Sequence, residues 1–351
     1  MTDYEDVLST LSAVPSAAGS GVRDIVWITD TRVLGVARDQ ESRLELFLAG
    51  EELKPSSAAI QEALEHHDWH RESGAPLAAN RLLLPALGHY DPIAAFICTE
   101  LLRNNADEDL EQAFRATEPI IEIAVKRLEM AETAMLGLIG ELMVLNALCN
   151  QVESHQLGDV VQSWFGWRRS ARDFWLNGTG VEVKATTRSV SSHIVQGVHQ
   201  VEPGQERNDE LAEDRLILVS VGLQRAAPGA NAVSIPSLLQ RIIGRLEAEG
   251  YENMVSDLVA RIKLYGTELG FGYDHNVMSN DAPFISAFSI TFFRGYDMAD
   301  PAIKVLRRDE VAVHSHVELQ SVRFRINLPS EVSGLNPIAG ANQVARRILG
   351  M

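Results

Sequence analysis

The sequence contains few cysteines, only Cys98 and Cys149 among 351 residues. Both lie in apolar runs with helical spacing, and neither belongs to a Cys-x-x-Cys pair or a cysteine–histidine cluster. A disulfide-stapled scaffold and a zinc knuckle are therefore excluded. Two core thiols in a reducing cytoplasm are the simplest account of both residues.

Positive charge is scarce as well. The chain carries 31 Lys and Arg against 48 Asp and Glu, a net charge of −17, which argues against a general polyanion-binding surface. Long apolar runs are missing too, since no stretch approaches the ~18–20 apolar residues of a membrane span. The N-terminus is acidic where an export signal would be basic. These absences predict a cytoplasmic protein without a membrane segment, in which any nucleic-acid contact is a local basic patch.

The remaining composition, 46% hydrophobic and 23% charged, is that of an ordinary globular protein, and the length suffices for two or three domains. Residues 1–116 predict an N-terminal mixed β/α domain, because their alternating runs are typical of a small antiparallel sheet. Residues 117–235 combine the most helical segment with β-branched strands and form the predicted core. Residues 236–351 predict a C-terminal α/β extension packed on that core.

Residues 58–70 predict a helix whose end is rich in histidine. His66 and His70 have the i,i+4 spacing of a metal site on a helix. No third ligand accompanies them, so an exposed helix end is the better interpretation.

One acidic residue stands out in the apolar helix predicted over residues 117–149. Between Thr133 and Val152, Glu141 is the only charged residue, and its neighbours three and four positions away are apolar or glycine. A lone acid seldom lies in such a stripe unless it is paired. Glu141 is therefore interpreted as a partly buried functional carboxylate, and the alternative is an outlier at the edge of the apolar face.

Downstream, residues 173–184 predict two short strands joined by the Asn-Gly turn at 177–178, a strong hairpin signal. A two-residue loop sets Asp173 opposite Glu182, whereas a loop longer by two residues sets Asp173 opposite Lys184. Because side chains alternate along a strand, all three share one face in either register. Two carboxylates and an ammonium then lie within about 4.5–8 Å of each other.

Such a cluster can hold a hard divalent cation. Mg²⁺ (or Mn²⁺) takes oxygen ligands and keeps several waters, so the carboxylates of Asp173 and Glu182 with the backbone carbonyl of Val183 suffice. Phosphodiester hydrolysis needs such a cation and an activated water. Lys184 can position or deprotonate that water, and Glu141 can take a second metal or bind an outer water. The alternative is an ordinary salt bridge on a sheet face.

Basic residues gather beside this cluster. Between Trp164 and Arg188, five Lys and Arg accompany two acids in an otherwise acidic chain. Arg168, Arg169 and Arg188 are candidate phosphate contacts, and Arg172 belongs to the same patch. A solvated hairpin flank is the alternative, and the two tryptophans of this segment are interpreted as core residues.

These motifs resemble the PD-(D/E)XK phosphodiesterase superfamily, which has the restriction-endonuclease-like fold, and more narrowly the DUF4420 family of bacterial defence-associated proteins. The residues that carry the resemblance are Leu138-Ile-Gly-Glu141-Leu, Asp173-Phe, Gly180-Val-Glu182-Val-Lys184-Ala-Thr, His193-Ile, Gln200-Val and Leu216-Ile-Leu-Val-Ser-Val. The resemblance covers about residues 130–225 and implies an α/β (α+β) protein whose mixed sheet is flanked by helices in the order αβββαβ. The elements that match this order are helix 127–149 and strands near 160–165, 172–176, 180–186 and 216–222.

The resemblance also implies roles for single residues. Its metal ligands would be Asp173 and Glu182, its catalytic lysine Lys184 and its auxiliary acid Glu141. Gln200 would correspond to a polar residue after the third strand of the superfamily, and it is a candidate nucleic-acid contact.

Two features depart from the superfamily pattern. Arg172 replaces the proline of the motif, which is a common variation. Residues 197–215 contain no clear amphipathic helix, which leaves the crossover helix and the role of Gln200 open.

Two functions remain open at this point. The first is a Mg²⁺-dependent DNA endonuclease of a bacterial restriction or phage-defence system, with protein partners from the same operon and, by analogy, a homodimer. The second is a catalytically silent module that acts as a scaffold or nucleic-acid sensor in a multi-protein defence complex. The retained Asp, Glu and Lys favour the first function, and the net negative charge favours the second.

Overall fold

The computed structural model describes residues 3–19, 21–40, 42–70, 75–84, 90–204, 213–227, 229, 231–269, 271–281 and 284–351. Its helices are α1 Tyr4–Ala13, α2 Ala58–Ala63, α3 Tyr90–Arg103, α4 Leu110–Cys149, α5 Leu157–Gln162, α6 Ile235–Ala248, α7 Glu252–Leu264, α8 His275–Met278, α9 Arg308–Ala312 and α10 Ala341–Leu349. Its strands are β1 Val26–Trp27, β2 Leu34–Arg38, β3 Leu44–Ala49, β4 Leu64–Trp69, β5 Leu77–Leu83, β6 Phe174–Leu176, β7 Thr179–Thr186, β8 Ser191–Val195, β9 Arg215–Ala226, β10 Ala287–Asp297, β11 Phe324–Leu328 and β12 Ile338–Ala339. The predicted mixed α/β class is confirmed.

The chain forms two compact units, Met1–Ala131 and Glu132–Met351. The first contains an antiparallel sheet in the order β1-β2-β3-β5-β4. Strands β2 and β3 are almost entirely buried. The predicted small antiparallel sheet is therefore confirmed.

The predicted helix over residues 58–70 is wrong in its second half. Helix α2 ends at Ala63, and the histidine-rich segment continues as β4, where His66 faces Asn80 of β5. The local helical pattern is overridden because the sheet supplies ladder hydrogen bonds and cross-strand neighbours to this edge strand. His66 and His70 therefore do not lie on a helix.

The second unit is organised around a mixed sheet in the order β12-β10-β9-β7-β6. Strands β6 and β7 form an antiparallel hairpin, β7 and β9 run parallel, and β9 pairs antiparallel with β10. Strand β9 is buried along most of its length, as predicted for residues 216–222. A parallel neighbour requires a crossover, and its described part contains β8 and a 3-10 turn at Val198–Val201. Residues 205–212 of that crossover lie outside the described part of the chain.

The strand expected near residues 160–165 is absent from the described structure. This segment begins as helix α5, and only Trp164 forms a single bridge, to Phe174. Leu157, Val160 and Val161 have helical spacing and are all buried. Burial of one helical face therefore outweighs the β preference of the two valines.

The C-terminal part of α4 has the composition of a membrane span, although no such stretch was expected from the sequence. Within the described residues, Glu132–Cys149 is the one stretch long and apolar enough, and 72% of it is buried inside the protein. A core helix of a globular protein that is apolar on most sides has the same composition. This part of α4 is accordingly a core element of the second unit.

Candidate metal centre

The central hairpin has the tighter of the two registers that the sequence allowed. The turn residues Asn177 and Gly178 adopt φ angles of 47° and 77°, as a two-residue type I′ turn requires. The pairing of β6 with β7, continued outward by one step, sets Asp173 opposite Glu182. Lys184 follows two residues later on the same face. The register with a two-residue loop is thus confirmed.

Asp173 is fixed at the open end of this hairpin. Its Oδ2 accepts a hydrogen bond from the backbone N–H of Val183 at 2.7 Å, and its own N–H donates to the carbonyl of Val181 at 3.1 Å. Burial raises the pKa of Asp173 well above its ordinary value, and the charges of Glu141 and Glu182 raise it further. The three acids lie close enough to repel one another, and a bound cation would relieve that repulsion.

Lys184 enters the cluster from β7. Its Nζ lies 2.8 Å from Oε1 of Glu182 and donates to Oε1 of Gln200 at 3.1 Å. Burial alone would lower the pKa of Lys184, but the surrounding carboxylates outweigh it and raise the pKa above its ordinary value. In this arrangement Lys184 is an ammonium donor. The Gln200 side chain contacts that lysine, and its predicted contact with nucleic acid stays a prediction.

Helix α4 brings the third carboxylate to the hairpin. It approaches β7 closely at Gly140, where an added Cβ would lie 3.3 Å from Cγ1 of Val183. The next residue, Glu141, is buried and accepts hydrogen bonds from Nε1 of Trp164 at 2.7 Å and from the hydroxyl of Tyr265 at 2.6 Å. Burial raises the pKa of Glu141 to about 7 despite these two hydrogen bonds. The structure thus brings Glu141 together with Asp173, Glu182 and Lys184.

Neither hydrogen-bond donor to Glu141 was predicted from the sequence. Trp164 was assigned to the core, and it is fully buried, but its indole N–H also reaches the acid. Tyr265 lies 124 residues from Glu141 along the chain, and no local pattern indicates that they meet. The one available signal was that a buried acid needs hydrogen-bond donors, and this rule does not say which residues supply them.

The oxygen donors fit a hard cation and do not fit zinc. Across the ranges that the structure describes, no three His, Cys, Asp or Glu side chains are grouped to hold a metal by themselves. A structural zinc site needs four protein ligands, whereas Mg²⁺ or Mn²⁺ accepts two carboxylates, a carbonyl and waters. Asp173 and Glu182 supply the two carboxylates. Val183 lies between Glu182 and Lys184, and its backbone carbonyl stays the predicted third ligand.

The predicted nucleic-acid contact at Arg172 is wrong. Its guanidinium is buried, lies 2.8 Å from Oε2 of Glu213, and donates to the carbonyls of His199 and Glu202 at 2.7 and 2.8 Å. A guanidinium enclosed in this way cannot reach a phosphate without breaking a buried ion pair. Arg172 instead fixes the backbone next to Asp173.

The other three arginines lie at the surface. Arg168, Arg169 and Arg188 are exposed. The guanidinium of Arg168 lies over the rings of Phe165 and Trp167, at 4.8 and 5.6 Å from their centroids. Such stacking orders a cation without neutralising its charge. Phosphate binding by these arginines remains a prediction.

His193 is a buried polar residue close to the candidate centre. It lies in β8, and its Nε2 is 2.6 Å from Oγ of Ser220. Burial lowers the pKa of His193 to about 3, and the charges of Lys184 and Arg325 lower it further. The unfolded chain therefore binds more protons than the folded protein between pH 6.5 and 3. Stability falls as the pH drops through this window, by up to about 1.4 kcal/mol per pH unit from this residue.

Replacing His193 with Asn is expected to remove this pH dependence. We expect the variant to be less stable than the wild type at pH 7, because a packed hydrogen-bonded ring is lost, and the deficit to shrink as the pH falls to 4.5. Urea unfolding of both proteins across this pH range measures the difference between their free energies of unfolding. The contributions of the other titrating groups cancel in that difference. A deficit that stays constant with pH would contradict the assignment of a neutral, buried imidazole.

A known protein family matches about two thirds of the chain. The model of the DUF4420 family, described as "Putative PD-(D/E)XK family member", matches residues 36–268. No curated protein and no solved structure matches the chain. The matched span exceeds half of the 351 residues and contains all four residues of the cluster. The chain therefore belongs to the DUF4420 family.

Proposed function

We propose that this protein is a divalent-metal-dependent endonuclease that hydrolyses phosphodiester bonds in DNA. The observation that carries the proposal is that Asp173, Glu182 and Lys184 share one face of the hairpin and that Glu141 of α4 joins them there. Burial raises the pKa of Asp173 there, and the charges of the two neighbouring acids, Glu141 and Glu182, raise it further. An ordinary surface salt bridge needs one acid and one base, so the surplus of buried carboxylates favours a cation site.

Each residue of the cluster has a role in this reaction. Asp173 and Glu182 would hold Mg²⁺ or Mn²⁺ with the carbonyl of Val183, and the bound cation would neutralise phosphate oxygens and acidify a water. Lys184, as an ammonium, donates to a phosphate oxygen or orients the attacking water. Glu141, on α4, would accept a hydrogen bond from an outer water of the bound cation.

The net negative charge of the chain opposes DNA binding. Arg168, Arg169 and Arg188 supply local positive charge near the hairpin, against a net charge of −17. We propose that partner proteins of a bacterial defence operon, or a second copy of the chain, complete the DNA-binding surface in the cytoplasm. Either partner would raise the affinity for DNA through phosphate contacts, and that affinity would fall steeply as the salt concentration rises.

A catalytically silent scaffold or sensor is the second candidate. It is favoured by the ion pair between Lys184 and Glu182 at 2.8 Å, which already compensates one of the acids. In that case the cluster would stabilise the hairpin, and nucleic acid would bind without being cut.

Cleavage of supercoiled plasmid separates the two functions. We expect nicked or linear DNA with Mg²⁺ or Mn²⁺, no product with EDTA, and loss of activity in Asp173→Asn. Glu247→Gln, a change of an exposed acid, is the matched control and should cut normally. If the wild type cuts neither DNA nor RNA with either metal, alone and with its operon partners, the nuclease proposal is wrong and the silent module stands.

A further inference from the structure

Both carboxylate oxygens of Glu141 accept a hydrogen bond from a buried side chain. Its Oε2 accepts from the indole N–H of Trp164 at 2.7 Å, and its Oε1 accepts from the hydroxyl of Tyr265 at 2.6 Å. The Trp164 and Tyr265 rings are stacked, with centroids 6.3 Å apart and 19° between their planes. Both rings are buried, so these donors are fixed by packing before any ligand arrives.

Two glycines make room for this arrangement. At Gly166 an added Cβ would lie 1.8 Å from Oε2 of Glu141, and at Gly137 it would lie 2.8 Å from the hydroxyl of Tyr265. No side chain larger than hydrogen fits at Gly166 without displacing the carboxylate, and at Gly137 one would push against the hydroxyl. Glycine at both positions thus permits the close approach that the two hydrogen bonds need.

Tyr265 reaches the site from a distant part of the chain. It directly follows α7. It belongs to the C-terminal region, which also contributes strands β10 and β12 to the mixed sheet. A carboxylate has about four acceptor positions, and the two donors use only part of them. Glu141 therefore keeps acceptor capacity for a water, while its freedom to rotate is lost.

We propose that Tyr265 and Trp164 are positioning residues that hold Glu141 in its place beside the Asp173–Glu182 pair, so that metal affinity depends on the C-terminal region. This inference rests on the proposed function, because it assigns the third acid of the same centre. Glu141 would act from a fixed position through an outer water, whereas Asp173 and Glu182 would hold the cation directly. Donors that orient groups around a metal are worth about 10–100-fold in its affinity.

Calorimetric titration of the full chain with Mn²⁺ tests the assignment. We expect Tyr265→Phe to bind Mn²⁺ about 10-fold more weakly than the wild type, the lower end of the range for outer-shell donors of a metal site. Tyr273→Phe is the matched control, because Tyr273 is also buried and its hydroxyl is bonded to Nδ1 of His275 at 2.8 Å. It should bind Mn²⁺ like the wild type. Thermal melts of both variants show that titrations are done on folded protein.

A double-mutant cycle distinguishes positioning from a general structural effect. If Tyr265 acts through Glu141, Tyr265→Phe causes no additional loss of Mn²⁺ affinity in a Glu141→Gln background. An equal loss in both backgrounds would overturn the inference, and so would wild-type affinity in Tyr265→Phe. If Asp173→Asn abolishes Mn²⁺ binding, neither of these two results contradicts the proposed metal centre. If the wild type binds no Mn²⁺, the metal centre itself is refuted, and the inference with it.

Discussion

Replacing Lys184 with Met is expected to slow metal-dependent DNA cleavage about 10²–10⁴-fold, the range lost when a positioned proton donor or acceptor is removed. The ammonium lies 2.8 Å from Glu182 and 3.1 Å from Gln200, where it faces the candidate cation ligands. Its raised pKa keeps it charged at neutral pH. Methionine retains the apolar stem and removes the charge, so the change reports on the ammonium itself.

The same variant is expected to keep its affinity for Mn²⁺, because Glu182 loses a competing cation. Single-turnover cleavage and calorimetry on one preparation measure the two quantities. Lys263→Met is the matched control, since Lys263 is paired with Asp274 at 2.6 Å outside the cluster, and it should cut at the wild-type rate. Wild-type cleavage by the Lys184 variant would remove this lysine from the mechanism.

Replacing Arg172 with Met is expected to destabilise the second unit by about 3–5 kcal/mol, the usual consequence of leaving one charge of a buried pair without its partner. Both side chains of the Arg172–Glu213 pair are 4% exposed, with 2.8 Å between Nη2 and Oε2. The same guanidinium also donates to the carbonyls of His199 and Glu202. The loss leaves a buried carboxylate and two carbonyls without this donor.

Urea unfolding measures this effect, and a fall in melting temperature of roughly 6–20 °C should accompany it. Arg169→Met, an exposed arginine three residues earlier, is the control and should change stability little. Replacing Arg172 and Glu213 together with apolar residues should recover much of the loss, because no unpaired charge remains. Equal stability of Arg172→Met and Arg169→Met would show that the buried pair does not stabilise this region.

The hairpin and its acid–lysine face were predictable because their determinants are local. The Asn-Gly turn fixes a two-residue loop, and strand alternation then fixes which side chains share a face. The solitary Glu141 was also visible, since an acid inside an apolar helix contradicts the surrounding pattern. These short-range rules account for the observed register, in which Asp173 lies opposite Glu182.

Predictions failed where neighbours distant in sequence decide the outcome. The segment after Ala63 became strand β4 because an edge of the first unit's sheet was available for pairing. Residues 157–162 became α5 because one helical face could be buried. In both cases the intrinsic preferences differ by less than the energy of the tertiary contacts.

The shared face of two carboxylates and a lysine on the hairpin is encoded locally, because turn type and strand alternation act over a few residues. The burial of Arg172 in an ion pair, and the hydrogen bonds from Tyr265 and Trp164 to Glu141, depend instead on tertiary packing. Those contacts join residues 23 to 124 positions apart. Burial and hydrogen bonding across such distances depend on how the whole unit packs, and no local pattern encodes them.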